Sequence, residues 1–372
     1  MEKKKVVCHI TTVHIPKDIR IYHKECKSLA DAGYDVKLVA VNASDIISDY
    51  DGIEIINVPL EARSKIKRII NAPKKARIAA EKCKADIYHF HDPEFLFSAL
   101  KMLNRGAVVI YDSHEDVPNQ VRSKYWIPRI IRPIISSLVF WIEMKIARKL
   151  SAIVTVVDSI ANRFLKANQN VVQVRNFPNL EEFPTPGSWN LKSSAACYVG
   201  DFTRIRGIYE SIDSLSISRG EMILAGRFPS KDFEDEVCAL EGWRKVDFRG
   251  FVSRVEISQI LNQSKFGLVT LYPTPSYKEA LPVKLFEYMA AGLAVIASDF
   301  GLMKQIVDKY NCGLVVNPQK PEEIAKAIDW LIDNDEEAQK MGQRGREAVV
   351  KNYNWAAEEK KLLSLYDSLL SQ

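Results

Sequence analysis

The chain has 372 residues, of which 47% are hydrophobic and 27% are charged, with a formal net charge of +5 at pH 7. This composition is that of a folded protein of about two domains, and it excludes disordered and fibrous classes. The net charge is too small to indicate nucleic acid as a partner, and we predict none.

The start of the chain and its cysteines both indicate the cytoplasm. A short charged stub precedes the apolar run Val6 to Ile10, without the long apolar stretch of a signal peptide. No apolar run reaches the roughly 18 residues that a membrane-spanning helix needs. The six cysteines are scattered and form no Cys-x-x-Cys pair, which favours reduced thiols over a disulfide framework or a zinc site.

Short apolar runs alternate with helical stretches along the first half of the chain. Such alternation is typical of a parallel sheet covered by helices on both faces. A proline-bearing segment, Asn176 to Gly187, then interrupts the pattern and is the predicted linker. The predicted strands before it are Val6 to Ile10, Val36 to Val41, Ile53 to Val58, Ile87 to Phe90, Val108 to Tyr111, Ile153 to Val157 and Val171 to Val174.

The same alternation begins again after the linker. We therefore predict an α/β protein with two doubly wound domains, residues 1–178 and residues 190–350. The last segment, Tyr353 to Leu370, has the periodicity of one amphipathic helix. The predicted strands of the second half are Ala196 to Val199, Met222 to Leu224, Val246 to Phe248, Phe266 to Thr270, Ala294 to Ala297 and Gly313 to Val316.

The loop after the first predicted strand contains no glycine before Gly33. A dinucleotide-binding fingerprint needs glycines for close backbone approach to the pyrophosphate, so an NAD dehydrogenase is disfavoured. Arg20 in this loop is a candidate phosphate ligand. Alternatively, Arg20, Lys24 and Glu25 are surface residues of the first helix.

All six histidines lie at or before position 114, and four of them stand at or next to predicted strand ends: His14, His89, His91 and His114. Ligands of doubly wound sheets bind beyond the carboxyl ends of the strands, which makes these histidines candidate site residues. The alternative is a structural histidine that caps a strand end. His89 and His91 share a strand face, but no third ligand with metal-site spacing follows, so we predict no metal.

One helix start in the second half carries most of the predicted binding chemistry. Pro282 suits the first turn of a helix and Gly292 suits the left-handed residue that ends one, so a helix is predicted between them. Lys284 near its amino end adds a positive charge to the free N–H groups, which predicts a phosphate site. Glu287 could accept hydrogen bonds from a pair of ribose hydroxyls, and Glu279 from those of a second polyol.

The segment from Glu279 to Gly301 resembles the signature of the retaining GT-B glycosyltransferases of family 4. The resemblance implies that Glu287 holds the nucleotide ribose and that Glu279 contacts the donor sugar. It also implies two Rossmann-like domains that face a cleft, with residues 353–372 crossing back to the first domain. Relatives usually have Gly-Phe-Gly between the two glutamates, whereas this chain has Ala-Leu-Pro at 280–282.

The run from Tyr198 to Gly207 resembles the family's strand-exit motif, whose basic residues bind the donor diphosphate. Arg206 stands at the position of the family's lysine, and Arg204 is a candidate for the usual arginine, which is Asp201 here. Two guanidinium groups would neutralise charge on the leaving group and make a metal unnecessary. The alternative is a solvated turn.

Further positions follow from the same resemblance. His114 would lie by the reactive carbon of the donor sugar, as a hydrogen-bond partner of that sugar and of the acceptor. His14 and His91 are predicted to help bind substrate. Gly250 would allow close approach of the backbone to the base, and Phe251 would flank the base unless it lies in the sheet core.

Two stretches interleave apolar with basic residues and are candidates for a membrane surface. They are residues 123–149, which include Trp126 and Trp141, and residues 65–77. Segments of this kind can lie in the headgroup layer of an anionic membrane. The alternative is a helix packed in the domain with a solvated basic rim.

The favoured function is a retaining glycosyltransferase without a cofactor. It would move a sugar from a nucleotide sugar, a UDP-sugar rather than a GDP-sugar, to a glycan or lipid-linked glycan acceptor in surface polysaccharide biosynthesis. A lipid-linked acceptor would bring this cytoplasmic protein to the inner membrane face. The alternatives are a non-hydrolysing nucleotide-sugar epimerase of the same fold and a sugar-binding or regulatory protein without turnover.

Overall fold

A computed structural model describes residues 4–43, 49–50, 52–61, 64–123, 127–183 and 186–371 of the chain. It divides into two compact units, residues 1–176 with 356–372 and residues 177–355. Each unit is built on one sheet, and parallel pairing dominates both sheets, which confirms the predicted fold class. Phe177 and Phe183, from the predicted linker, pack into the core of the second unit.

The sheet of the first unit has the order β3-β4-β2-β1-β5-β6-β7-β8. Its pairs are parallel except at the edge, where the two-residue strand β3 runs antiparallel to β4. Seven of these strands match predictions; β3 is too short to show a periodic pattern. The strands are β1 (Val6–Thr11), β2 (Asp35–Val41), β3 (Asp49–Tyr50), β4 (Ile53–Val58), β5 (Ile87–Phe90), β6 (Val108–Ser113), β7 (Ala152–Thr155) and β8 (Val171–Gln173).

The sheet of the second unit has the order β11-β10-β9-β12-β13-β14, and every pair is parallel. In both sheets the first strand lies in the interior and the later strands are added on either side. The order in which strands are added reverses between β1 and β5 and between β9 and β12. Doubly wound folds bind ligands at such points. The strands are β9 (Ser193–Val199), β10 (Met222–Ala225), β11 (Val246–Gly250), β12 (Ser264–Val269), β13 (Ala294–Ser298) and β14 (Gly313–Val316).

The helices of the first unit are α1 (Lys27–Asp31), α2 (Lys65–Lys82), α3 (Leu96–Leu103), α4 (Val117–Ser123), α5 (Arg132–Ala147) and α6 (Asp158–Phe164). The second unit contains α7 (Ile208–Asp213), α8 (Lys231–Cys238), α9 (Arg254–Gln263), α10 (Pro275–Lys278), α11 (Val283–Ala290), α12 (Gly301–Tyr310), α13 (Pro321–Asp333) and α14 (Asp335–Asn352). The last helix is α15 (Trp355–Leu370). None of the helices in the described part of the chain is long and apolar enough to cross a bilayer.

Helices cover both faces of the second sheet. Successive residues of β9 pack into two different hydrophobic clusters, with Cys197 and Val199 in one and Ala196 and Tyr198 in the other. The first cluster includes residues of α11, and the second includes residues of α7 and α13. Burial on both faces explains why the strands are continuous apolar runs rather than alternating ones.

The last helix packs on the first unit, as predicted. The Tyr34 hydroxyl donates a hydrogen bond to Asp367 at 2.8 Å, and the Arg175 backbone N–H donates to Glu358 at 2.9 Å. Tyr366 on the same helix is completely buried. The amphipathic pattern of the segment is thus explained by one face that lies against the first unit.

The segment after β1 contains a π-helix, Ile21–Cys26, that the sequence pattern did not predict. Its wider turn is seen in the hydrogen bond from the Glu25 N–H to the Arg20 carbonyl, five residues back, at 2.9 Å. Arg20, Lys24 and Glu25 are all buried. The alternative that these three residues lie on the surface of the first helix is therefore wrong.

Candidate functional site

Two basic side chains meet above Gly200, which follows β9. A Cβ atom added to Gly200 would lie 3.5 Å from Lys284 Nζ and 3.9 Å from Arg206 Nη1. Gly200 also has a φ of +129°, a conformation that other residues rarely adopt. The glycine therefore leaves open the space that the two cations share, beyond the carboxyl end of a central strand.

Lys284 provides an unusual cation at this point. It is the second residue of α11, which begins after Pro282 as predicted. Its Nζ is buried without a hydrogen-bond partner in the described residues, 3.7 Å from the centre of the Tyr198 ring. Part of the residue is exposed, but the nitrogen itself is not. Burial, and then the charge of Arg206, hold the pKa of Lys284 well below its usual range. A bound anion would offset the free-energy cost of burying a positive charge there.

The two arginines of the strand-exit motif differ in position. Arg206 donates to the Asp201 carbonyl at 3.3 Å and reaches the space above Gly200. Arg204 instead forms an ion pair with Glu236 and lies 4.7 Å from the centre of the Tyr209 ring. The structure thus brings Arg206 to Lys284 and engages Arg204 elsewhere.

The two signature glutamates also have different surroundings. Glu287 lies in α11 and is 8% exposed, and its Oε1 accepts a hydrogen bond from Arg254 at 2.9 Å. Arg254 also donates to Glu182, so it connects two carboxylates and fixes Glu287. Glu279 follows α10 and is exposed.

The residues predicted to support a base lie at the end of β11. Gly250 has a φ of +64°, and a Cβ added there would meet no atom within 4 Å. Glycine is thus favoured here by the left-handed backbone conformation, and not by close contact with another atom of this chain. Phe251 is 76% exposed, with the Arg227 guanidinium 5.1 Å from its ring centre. The alternative of a sheet-core phenylalanine is therefore wrong.

A buried ion pair organises the polar residues of the first unit. Arg20 donates from Nε and Nη2 to the two oxygens of Asp112, at 2.9 and 3.1 Å. Asp112 Oδ2 also lies 2.8 Å from His114 Nε2 and 3.4 Å from His91 Nδ1. Burial raises the pKa of Asp112, but Arg20 and His114 outweigh it and hold that pKa well below its usual range. Arg20, which was a candidate phosphate ligand, is therefore paired with Asp112 instead.

Three of the predicted histidines come together beside this ion pair. His91 Nδ1 lies 3.3 Å from His114 Nε2, and the rings of His14 and His114 are 5.5 Å apart. Burial lowers the pKa of His91 to about 4 despite Asp112. For His14, burial lowers the pKa, but the hydrogen bond to Asp18 and nearby carboxylates outweigh it, so the pKa is raised. The cluster thus mixes a neutral imidazole with one that favours its charged form.

Asp112 and His9 are polar residues of this region that the sequence analysis missed. Asp112 and Ser113 are the polar end of a buried apolar strand, directly before His114, which was the available signal. His9 is buried in β1 opposite His89 of β5. Sequence spacing around His89 and His91 does not report His9, which lies on the neighbouring strand.

We expect the Asp112→Asn variant to be less stable than the wild type by about 3–5 kcal/mol, because Arg20 loses the buried carboxylate to which it donates two hydrogen bonds. Urea denaturation measures the difference. The matched control is Asp158→Asn, which breaks an exposed ion pair with Arg175 in the same unit and should cost about 1 kcal/mol or less. Equal losses of stability in the two variants would contradict the view that the buried pair of Arg20 and Asp112 stabilises the first unit.

Comparisons with known proteins give consistent results for the two halves of the chain. Residues 20–182 match the family model described as Glycosyltransferase Family 4, and residues 181–348 match the model described as Glycosyl transferases group 1. The alpha-maltose-1-phosphate synthase of Mycobacterium tuberculosis is 23% identical over 254 residues, which are 61% of this chain and 65% of that protein. A curated relative from Methanocaldococcus jannaschii is matched over only 43% of its length. The chain thus spans less than two thirds of each of these relatives.

Solved structures show the same fold at low identity. A sucrose-phosphate synthase from Thermosynechococcus elongatus superimposes with a TM-score of 0.77 and 19% identity, over 99% of this chain and 100% of that one. The Anabaena protein Alr3699/HepE, solved in complex with UDP-glucose, superimposes with a TM-score of 0.72 and 13% identity, over 98% of this chain and 99% of that one. Likeness at this level establishes the architecture alone.

Proposed function

Because the chain belongs to the group 1 and family 4 glycosyltransferases, we propose that it transfers a sugar from a nucleotide sugar to a glycan or lipid-linked glycan acceptor. We propose a UDP-sugar as donor, retention of anomeric configuration, and a place in surface polysaccharide biosynthesis. The observation that carries the proposal is the unpartnered Lys284 Nζ beside Arg206 at the open space above Gly200.

The second unit is the proposed donor-binding unit. The diphosphate would contact Lys284, Arg206 and the N–H groups at the start of α11, where the helix dipole favours negative charge. These groups would also stabilise the charge that develops on the leaving nucleoside diphosphate. Glu287, fixed by Arg254, is proposed to accept hydrogen bonds from the ribose. The exposed ring of Phe251 would pack against the base. A UDP donor is favoured by the UDP-glucose bound to the Anabaena relative of the same fold.

The first unit is the proposed acceptor-binding unit. His114, which lies 2.8 Å from Asp112, is proposed to hydrogen-bond the transferring sugar and the acceptor hydroxyl, with His14 and His91 beside it. In a same-face displacement, the bond from the anomeric carbon to the leaving phosphate breaks as the acceptor oxygen bonds to that carbon. The acceptor proton passes to the leaving phosphate, and no covalent enzyme intermediate forms. Glu279, which belongs to the second unit, would orient the sugar.

The donor site can be tested by thermal unfolding with UDP, GDP and their sugars. A ligand at 100 times its dissociation constant should stabilise the protein by about 2.7 kcal/mol. We expect UDP and a UDP-sugar to do so and Arg206→Ala to lose most of the effect. Arg219→Ala is the control, because Arg219 pairs with Asp333 on the surface of the same unit.

Two outcomes would contradict the proposal. One is the absence of stabilisation by any of these nucleotides. The other is conversion of the nucleotide sugar into its epimer without an acceptor, which product analysis by mass spectrometry and NMR would reveal and which would favour the epimerase alternative. NMR of a transferred product also reports whether the anomeric configuration is retained.

An exposed stripe on α5 supports contact with an anionic lipid surface. Ile134, Leu138 and Trp141 follow one another at helical spacing, and each is more than half exposed. Exposed Lys145 and Arg148 continue the same stripe. Apolar groups that enter the headgroup layer and cations that attract anionic lipids are the features of an interfacial helix. Residues 124–126, including Trp126 of the predicted membrane segment, lie outside the described residues.

We expect the double variant Leu138→Ser and Trp141→Ser to bind vesicles containing phosphatidylglycerol less tightly than the wild type, because two of the three apolar anchors are removed. Co-sedimentation with vesicles measures binding, and vesicles of phosphatidylcholine alone should bind little. Phe97→Ser in α3 removes another exposed aromatic side chain of this unit and is the control. Unchanged sedimentation of the double variant would exclude this stripe as the membrane contact.

A further inference from the structure

The first unit contains a buried cluster of which the proposed transfer reaction involves only His91. It consists of His9, Glu25, His89 and His91, each no more than 2% exposed. Each residue offers one nitrogen or oxygen atom, and these four atoms all lie within 4.8 Å of one another. Three imidazoles and one carboxylate thus converge in the interior of a sheet protein.

The fold explains how these residues meet. Cys8 and Ile10 of β1 pack into the hydrophobic cluster on one face of the sheet, so His9 between them points to the other face. The parallel register places His9 opposite His89, and His91 follows two residues later. The π-helix supplies Glu25, whose Oε2 lies 3.9 to 4.0 Å from a nitrogen of each histidine.

Glu25 is an unsatisfied buried acid. Neither of its carboxylate oxygens has a hydrogen-bond partner in the part of the chain that the structure describes. Arg20 Nε lies 3.0 Å from Oε1, but its hydrogen is donated to Asp112. A buried carboxylate without hydrogen bonds is costly, and an ion is one of the few ways to satisfy it.

We propose that His9, Glu25, His89 and His91 bind a divalent transition-metal ion, with Zn²⁺ as the best match. Three imidazole nitrogens and one carboxylate oxygen are a common ligand set for this ion. Bonds of about 2.0–2.1 Å in a tetrahedron place the ligand atoms about 3.4 Å apart. The distances from Glu25 would shorten by about 0.5 Å, and the 2.9 Å between His9 Nδ1 and His91 Nε2 would lengthen by a similar amount.

The surroundings supply outer partners for two of the imidazoles. The second nitrogen of His91 lies 3.4 Å from Asp112 Oδ2, which is the carboxylate–histidine–metal arrangement that orients metal ligands. The second nitrogen of His9 lies 3.2 Å from the Tyr366 hydroxyl. That hydroxyl is also 2.7 Å from His89 Nδ1 and would bond to His9 alone once the ion binds.

All four ligand positions are filled by protein, which is typical of a structural rather than a catalytic zinc site. The ion would join β1, β5 and the π-helix, and through Tyr366 it would also contact α15. It would therefore stabilise the first unit and fix His91 beside Asp112 and His114. The proposal does not depend on which sugar is transferred, or on whether any is.

The test is direct measurement of metal on the full-length protein. We expect elemental analysis to find close to one zinc ion per chain after purification, or after dialysis against chelator and addition of Zn²⁺. Replacement by Co²⁺ should give the visible absorption of a four-coordinate site, and metal should raise the midpoint of thermal unfolding. No stoichiometric uptake of Zn²⁺ or Co²⁺ by the wild type would overturn the proposal without any variant.

Variants locate the ion. Glu25→Gln and His89→Gln should weaken Zn²⁺ binding more than the roughly 10- to 100-fold typical of losing an outer partner. His23→Gln, which changes a histidine outside the cluster, should retain binding. His91, Asp112 and His114 form a second group that could hold an ion. If His114→Gln loses the metal while Glu25→Gln keeps it, the ion binds that second group and the proposal is wrong. If the cluster variants do not fold, the wild-type cobalt spectrum and metal content decide.

Discussion

The strand order of a doubly wound parallel sheet is the constraint on which both candidate sites depend. In each unit the chain enters at an interior strand and then adds strands on either side, so the loops after two central strands separate. Gly200 and Lys284 lie at such a position in the second unit, and His91 and Asp112 in the first. Residues far apart in sequence are thereby brought within a few ångströms.

The two units differ in whether a buried cation has a counter-charge. In the first unit, Arg20 donates two hydrogen bonds to Asp112, and the histidines are arranged around the pair. In the second unit, Lys284 Nζ is buried without such a partner. A paired charge holds a structure together, whereas an unpaired one is best explained by a ligand of opposite charge. This contrast is why we assign the diphosphate to the second unit.

The fold was predictable from sequence because its signals are local. The apolar runs of β5 and β14 coincide with the predicted strands, and Pro282 and Gly292 correctly bounded α11. Lys284 and Arg206 could be proposed as partners because each is adjacent to a helix or strand end. The π-helix could not be foreseen, since such helices are rare and six residues show no distinct periodic pattern. His9 was missed for a related reason: its importance arises from its neighbour across the sheet, which sequence spacing does not report.

The measurement that most directly tests the diphosphate site is proton uptake when UDP binds. The pKa of Lys284 is held well below its usual range in the free protein, and a bound diphosphate would raise it. Between these two pKa values, binding should therefore take up a proton. Calorimetric titration with UDP at a series of pH values from 8 upward, about two units or more above the second phosphate pKa of ~6, in buffers of different ionisation enthalpy measures this uptake. We predict uptake by the wild type and none by Lys284→Arg, whose side chain remains charged. Equal proton exchange in the two proteins would contradict the assignment of Lys284 to the diphosphate.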